Sequence, residues 1–213
     1  NALFAPVAGI GLTVQSWWLE SVDDPSGRLP SQLLAATGDG VYRIEGGSAV
    51  LILESMTGSL QPAVLHRSRR NPVRVFVGLF DGLASLRLDG GKWVFEGRIE
   101  GVGDEVRSMV EDSDGRLWLG TTTGGVVRID FGSSAPGGAQ ADLPLNPRVE
   151  RFGVAHGLPQ TAVNVAEVGG RLCFLSTADL FRFDSGEARF VPDPTFKLVG
   201  VDADGAGTDG VLR

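Results

Sequence analysis

Apolar positions in this chain fall in short runs, cut by Gly, Asp, Asn or Thr, and the runs come in pairs. Four segments carry the pattern: Gln32–Ile44, Arg74–Leu86, Arg116–Ile129 and Arg171–Phe183. Each has a short apolar run, a polar break and a second apolar run. Short runs of β-branched, aromatic and Leu residues bounded by Gly breaks predict strands joined by tight loops. A further strand precedes each pair, at Val106–Val110 before Glu111–Gly115, at Val163–Val168 before Gly169–Gly170, and at Pro62–His66 before Arg67–Pro72. A fourth is predicted near Lys92–Phe95 and near Ala188–Val191. No stretch shows helical periodicity, and 31 Gly with 11 Pro disfavour long helices.

The segments share a spacing. Val22, Val64 and Val106 lie 42 residues apart, as do Leu33, Val75 and Leu117, and Gly40, Gly82 and Gly124. A period of this size marks duplicated units that bury their apolar faces only by stacking. Four short strands per unit, repeated, predict an all-β propeller of four-stranded antiparallel blades rather than a β-helix or a helical solenoid. The glycines at 40, 82 and 124 are expected to supply positive φ or close backbone approach. The third unit runs long, 55 residues from Leu117 to Leu172, and the excess at 131–142 reads as a surface loop inserted between blades.

The whole of 1–213 reads as one domain, with blade cores near 22–57, 58–101, 102–155 and 156–195. The segments 1–21 and 196–213 then supply a partial blade. Two arrangements fit: a partial propeller of four to five blades from a larger parent, the favoured one, or a closed ring of five blades with the last shared between the termini. Uncovered edges of a partial propeller invite self-association. Within the third unit, Trp118 is expected to face one neighbouring blade while Leu117 and Leu119 face the other, since adjacent strand residues point oppositely.

A net charge of −7 with acids and bases interspersed argues against a nucleic-acid surface, which needs a basic stripe. No run of 18 apolar residues is present to span a bilayer as a helix. The apolar start Asn1–Leu12 lacks the basic leader of a signal peptide and is read as a strand or a mature start. The single cysteine, Cys173, takes an aromatic's place in a strand and is expected to be a buried thiol.

Residues 106–129, with an apolar strand, an Asp–Gly turn at Asp114–Gly115, the Leu-Trp-Leu-Gly-Thr strand 117–121 and a Gly-led strand, resemble the two-component regulator propeller repeat. The stretch His156–Val163, with its Gly-Leu-Pro, is similar to the family's lead into a blade. The second unit lacks the Asp–Gly turn and the Trp, and the fourth has Cys173 at the Trp position. The resemblance implies an extracytoplasmic sensor domain of a bacterial two-component or related signalling receptor. Its place would be the periplasmic or outer part of an inner-membrane protein, joined to further domains of the same parent.

Propeller ligands meet the loops leading into the blades and the loops joining second to third strands. Here those loops offer Asp39, Phe80, Asp81, Thr122, Thr123 and Thr177, with His156 and Gln160 from a leading loop. Equivalent repeat positions predict that these residues cluster on one face, where hydroxyls, carboxylates and an aromatic suit a small or sugar-like ligand. The plainer alternative is that the Asp and Thr residues close tight turns. Asp112–Gly115 and Asp202–Gly205 lack the spacing of a calcium loop and read as turns. The Asp-box comparison fails at Leu117, where a Thr is needed. The basic stretch His66–Arg70 is expected on the opposite face as a solvated loop, with an acidic partner domain as the minor alternative. No nucleophile elbow, phosphate loop or paired-His motif appears, so no cofactor, metal or catalytic residue is assigned. Three functions remain in order: a ligand-sensing domain, a protein-interaction platform, and an enzyme acting on glycans through carboxylates that converge across blades.

Overall fold

The computed structural model describes residues 7–194 apart from 12–13, 24–26, 28–29, 56–59, 124, 133–142 and 178. The predicted segment 196–213, including its Asp202–Gly205 turn, lies outside the described residues, as does Gly124. Sixteen strands form four antiparallel sheets, each a simple meander. The first blade comprises β1 (Ser16–Val22), β2 (Gln32–Thr37), β3 (Gly40–Glu45) and β4 (Ser48–Glu54). The second comprises β5 (Pro62–Arg67), β6 (Arg74–Leu79), β7 (Gly82–Asp89) and β8 (Lys92–Arg98). The third comprises β9 (Val106–Glu111), β10 (Leu117–Thr121), β11 (Val126–Asp130) and β12 (Arg148–Phe152). The fourth comprises β13 (Asn164–Val168), β14 (Arg171–Leu175), β15 (Leu180–Asp184) and β16 (Arg189–Pro192). Among the described residues one short 3-10 turn, Val154–His156, stands outside the strands, and no helix is long and apolar enough to cross a membrane.

Consecutive blades pack through their first strands, β1 on β5, β5 on β9 and β9 on β13. Strand alternation then divides each sheet into a face toward the preceding blade and a face toward the next. Three cores result. Val22, Leu34 and Val41 meet Leu65, Val75 and Val77 between the first two blades. Val64, Phe76 and Leu83 meet Met109, Leu117 and Leu119 between the second and third. Trp118 and Phe152 meet Val165, Phe174 and Phe190 between the third and fourth. Trp118 thus faces the fourth blade while Leu117 and Leu119 face the second, as the alternation requires.

Leu33, Val75, Leu117 and Leu172 all lie in second strands, so that 42-residue register is structural. The valine register is not. Val22 ends β1, Val64 is third in β5 and Val106 opens β9, because the linker between first and second strands shortens from 23–31 to 68–73 to 112–116. In consequence the first blade begins earlier than predicted: residues 16–21, assigned to a partial blade, form its first strand and pair with β2. Upstream, Ala8 bridges in parallel to Ser48 at the edge of β4. The long linker of the third unit also falls elsewhere than expected. It joins β11 to β12 within the third blade, not one blade to the next, although 133–142 lie outside the described residues.

Among the described residues the first blade exposes a position that the other blades bury. Leu65, Met109 and Val165 are buried against the preceding blade, while Leu19, at the matching register position, is 58% exposed.

Candidate functional site

The turns between second and third strands, together with the starts of the first strands, define one end of the sheets, here the upper end. A hydroxyl closes three of the four turns. Thr37 Oγ1 donates to the Gly40 carbonyl at 3.0 Å, Thr121 Oγ1 to Gly125 at 3.0 Å, and Ser176 Oγ to Asp179 at 3.1 Å. Gly40 and Gly82 adopt φ of 144° and 145°, and a Cβ on either would strike the carbonyl of Leu53 or Val102 on the neighbouring segment. In the third blade Gly125, with φ 80°, takes this role. The second blade has Leu79 where the hydroxyl belongs. There Arg98 reaches from β8 and donates to both carboxylate oxygens of Asp81 at 3.2 Å and to its carbonyl.

These turns carry most of the predicted site residues, and their contacts run within their own blades. Asp39 is exposed; its backbone N–H donates to Thr37 Oγ1 and its carbonyl accepts from Ser55. Asp81 is held by Arg98. The Thr122 N–H donates to the Glu105 carbonyl at 3.3 Å, and Thr123 and Thr177 face solvent. In the leading loop of the fourth blade Gln160 is exposed. His156 Nδ1 accepts from the Gly153 N–H at 3.2 Å and its ring meets Phe152 edge-on at 5.2 Å, so this histidine shapes its own turn.

Phe80 differs. Its ring lies 6.2 Å from that of Trp17 in an edge contact, and the Arg107 guanidinium sits 4.8 Å from its centroid. One side chain of the second blade therefore joins residues of the first and third. Trp17 and Arg107 share a local cause. Ser16 pairs with Thr37 and Trp18 with Ala36, leaving Trp17 as the extra residue of a β-bulge. Val106 pairs with Thr121 and Ser108 with Gly120, so Arg107 is the extra residue of a second one. A third bulge places Ala63 likewise, between Pro62 and Val64. Bulges bend the strand and re-aim a side chain. Sequence reasoning did not find Trp17 or Arg107, because a bulge leaves no mark in composition or period. Trp17 and Trp18 stay 40% and 42% exposed. Trp18 Nε1 donates to Glu20, whose carboxyl burial pushes above its usual range despite that bond and nearby Arg67.

At the opposite, lower end the basic stretch is a clasp, not a solvated loop. Arg67 pairs with Asp23 of the preceding segment at 3.0 Å. The Arg69 N–H donates to Glu111 Oε2 at 2.6 Å, its guanidinium donates to the Glu111 carbonyl at 3.3 Å, and the same side chain pairs with Glu167 of the fourth blade. Arg70 donates to the Asp114 carbonyl. The Asp112–Gly115 turn is closed by its own side chain: Asp112 Oδ1 accepts from the Asp114 and Arg116 N–H groups, and Oδ2 from Trp118 Nε1 at 2.8 Å. Among the described residues no group of His, Cys, Asp and Glu is arranged to hold a metal ion. Cys173 is buried, and burial followed by the Asp193 charge pushes its thiol up.

Residues 101–123, which span β9 and β10 of the third blade, match the family model of the two component regulator propeller. No curated protein matches the chain. Among solved structures, the chain is similar to a B. thetaiotaomicron protein described as the extracellular domain of a one component system. That likeness has TM-score 0.59 at 14% identity and covers 89% of this chain and 23% of the other. A Bacteroides thetaiotaomicron protein of unknown function gives TM-score 0.53 at 10% identity, over 83% of this chain and 42% of its own length. At these identities the likeness is one of fold, and the chain spans under half of either relative.

Proposed function

We propose that this chain is the extracytoplasmic, non-catalytic ligand-sensing propeller of a bacterial two-component or related signalling receptor of the inner membrane. Its ligand is small or sugar-like and meets the upper end, where Phe80, Asp39, Asp81, Thr122, Thr123, Thr177, His156 and Gln160 stand. The observation that carries the reading is the family match in the third blade, on a fold shared with a protein described as the extracellular domain of a one component system. The exposed aromatic residues at the upper end support recognition by surface contact rather than chemistry. Fold alone does not fix function, so the test must be of binding. A thermal-shift screen of the chain against a mixed library of sugars, oligosaccharides and small metabolites is expected to give a saturable rise in Tm with at least one compound, since a ligand held by the native state stabilises it by mass action. A library with no such compound sinks the sensing reading.

A second reading, a protein-interaction platform, draws on the exposed Leu19 position of the first blade. Leu19 stands exposed where its counterparts are buried between blades. A further blade or partner domain packed there would complete the interface series. Self-association through that face is its simplest form, and a concentration-dependent mass in solution that Leu19→Lys abolishes would favour this reading over the first.

A further inference from the structure

The geometry points to a binding shelf for a neutral, ring-shaped polyhydroxy ligand, a sugar without an acidic group, formed by Trp17 and Phe80 with the Arg107 guanidinium over the Phe80 ring. The inference rests on the sensing reading above and narrows it to a place and a ligand chemistry. Three blades contribute at one point: Trp17 from the first, Phe80 from the second and Arg107 from the third. Two of these side chains are bulge residues at matching ends of first strands, and the bulge between them carries Ala63, a small side chain. Bulges at this end thus aim an indole and a guanidinium at one phenyl ring. The arrangement is more than packing, because Trp17 remains 40% exposed while the aromatic residues of the blade interfaces, Phe76, Trp118, Phe174 and Phe190, are buried. The exposed indole, set edge-on to a half-buried phenyl that carries the guanidinium, offers an apolar ring with polar neighbours, the kind of surface on which the C–H face of a sugar ring stacks.

Charge selects among such rings. Three arginines stand at this end among the described residues, and each already has a carboxylate. Arg98 holds Asp81 at 3.2 Å, Arg151 holds Asp104 at 3.2 Å, and Arg107 pairs with Glu105. An acidic ligand would find no uncommitted cation among the described residues and would approach an end that carries the carboxylates of Asp39, Glu54, Asp81, Asp104, Glu105 and Asp179. A neutral ring meets no such repulsion, and the committed guanidinium and carboxylate edges still offer hydrogen bonds to hydroxyls.

The test is intrinsic tryptophan fluorescence of the chain titrated separately with cellohexaose, xylohexaose, maltohexaose, mannohexaose and, as the acidic probe, tetragalacturonate. At least one neutral probe is expected to give a saturable change, with no response to tetragalacturonate. Trp17→Ala and Phe80→Leu are each expected to weaken that binding by about tenfold or more, a difference of about 1.4 kcal/mol. Circular dichroism and unchanged Tm check that the variants fold, which the exposure of Trp17 and the retained apolar volume at 80 favour. Binding that persists in both variants, or a response to the acidic probe alone, overturns the shelf while leaving the sensing reading in place. If none of these probes binds but the thermal-shift library yields another ligand, the ligand class is wrong and sensing stands; no ligand in either experiment removes both.

Discussion

The two ends of the sheets use similar side chains for different ends. At the lower end, charged groups reach across blades: Arg67 to Asp23, Arg69 to Glu111 and Glu167, and Arg70 to the turn at Asp114. Glu111 is 3% exposed, so one anchor of this clasp lies in the interior while its ion pairs stay solvated. At the upper end the arginines satisfy carboxylates close by, in the same blade or its own leading loop, and none of those carboxylates is buried as Glu111 is. The Phe80 cluster joins three blades there through side chains. The buried Glu111 carboxylate holds the stack at the lower end, because removing it strands the Arg69 N–H and the Ser68 hydroxyl away from water. Locally closed, solvated pairs at the other end contribute little to stability. The upper end is thereby free to vary, which suits a surface that recognises something.

The lower end should therefore be the costly one to disturb. Trp118 is the strongest case: it is buried among Phe152, Phe174, Phe183 and Phe190, with Arg128 over its ring at 5.1 Å and its Nε1 tied to Asp112 in the lower turn. Trp118→Ala is expected to lose about 3–5 kcal/mol. Chemical denaturation reads it directly, and an unchanged midpoint would show that the aromatic interface between the third and fourth blades does not depend on this ring. Glu111→Ala comes next. It leaves the Arg69 N–H and the Ser68 hydroxyl without their acceptor, at an expected cost of about 2–3 kcal/mol. A double-mutant cycle with Ser68→Ala sharpens the comparison: a coupling near zero would mean that the hydroxyl does not help the Glu111 carboxylate hold the clasp.

Acid should act on the lower end as well. Burial, with the Arg69 charge beside it, lowers the His66 pKa to about 4. Its Nε2 is buried without a hydrogen-bond partner. The folded state therefore keeps His66 neutral where the unfolded chain, near 6.5, takes up a proton. Stability is fully present above about pH 6.5 and declines as pH falls toward 4, by about 3 kcal/mol across that window. His66→Phe should flatten that part of the profile. Glu96 responds in a lower range. Burial alone would raise its carboxyl, but hydrogen bonds from Arg74 and Ser85 and the charges of Arg74 and Arg87 outweigh it and hold the carboxyl below its usual value. Its stabilisation is lost only as pH falls through that depressed value, so the His66 slope should be resolvable before it.

What was legible in the sequence follows from the same division. Strand alternation and the spacing of Leu33, Val75 and Leu117 report packing, which recurs in every blade, so the meanders and the orientation of Trp118 could be read. The start of the first blade could not, because a valine at 22 matches the period by accident of a longer linker. The role of His66–Arg70 was hidden for a different reason. Its partners, Asp23, Glu111 and Glu167, are remote along the chain, and a basic run looks alike whether solvated or clasped. At the upper end, repeat position brought Asp39, Phe80, Asp81, Thr123 and Thr177 to one edge but did not say which of them would touch another blade. Only bulges decide that, and Trp17 and Arg107 carry no sequence mark of being bulged.

The smallest expected effect lies in the predicted turn residues themselves. Asp39 and Thr123 are exposed, and the hydroxyls that close their turns belong to Thr37 and Thr121 instead. Asp39→Ala and Thr123→Ala should each change stability by less than about 0.5 kcal/mol, the ordinary range for surface positions. Thr37→Val and Thr121→Val remove the closing hydrogen bond in a buried setting and should cost about 1 kcal/mol each. The contrast separates two explanations for Asp and Thr at these positions. If they merely close the turns, Asp39→Ala and Thr123→Ala will destabilise as much as the hydroxyl variants do. If they face a ligand, stability will be untouched while affinity for a compound found by thermal shift falls. A variant pair that leaves both stability and affinity unchanged confines recognition to the ring of Phe80 and its two bulged neighbours.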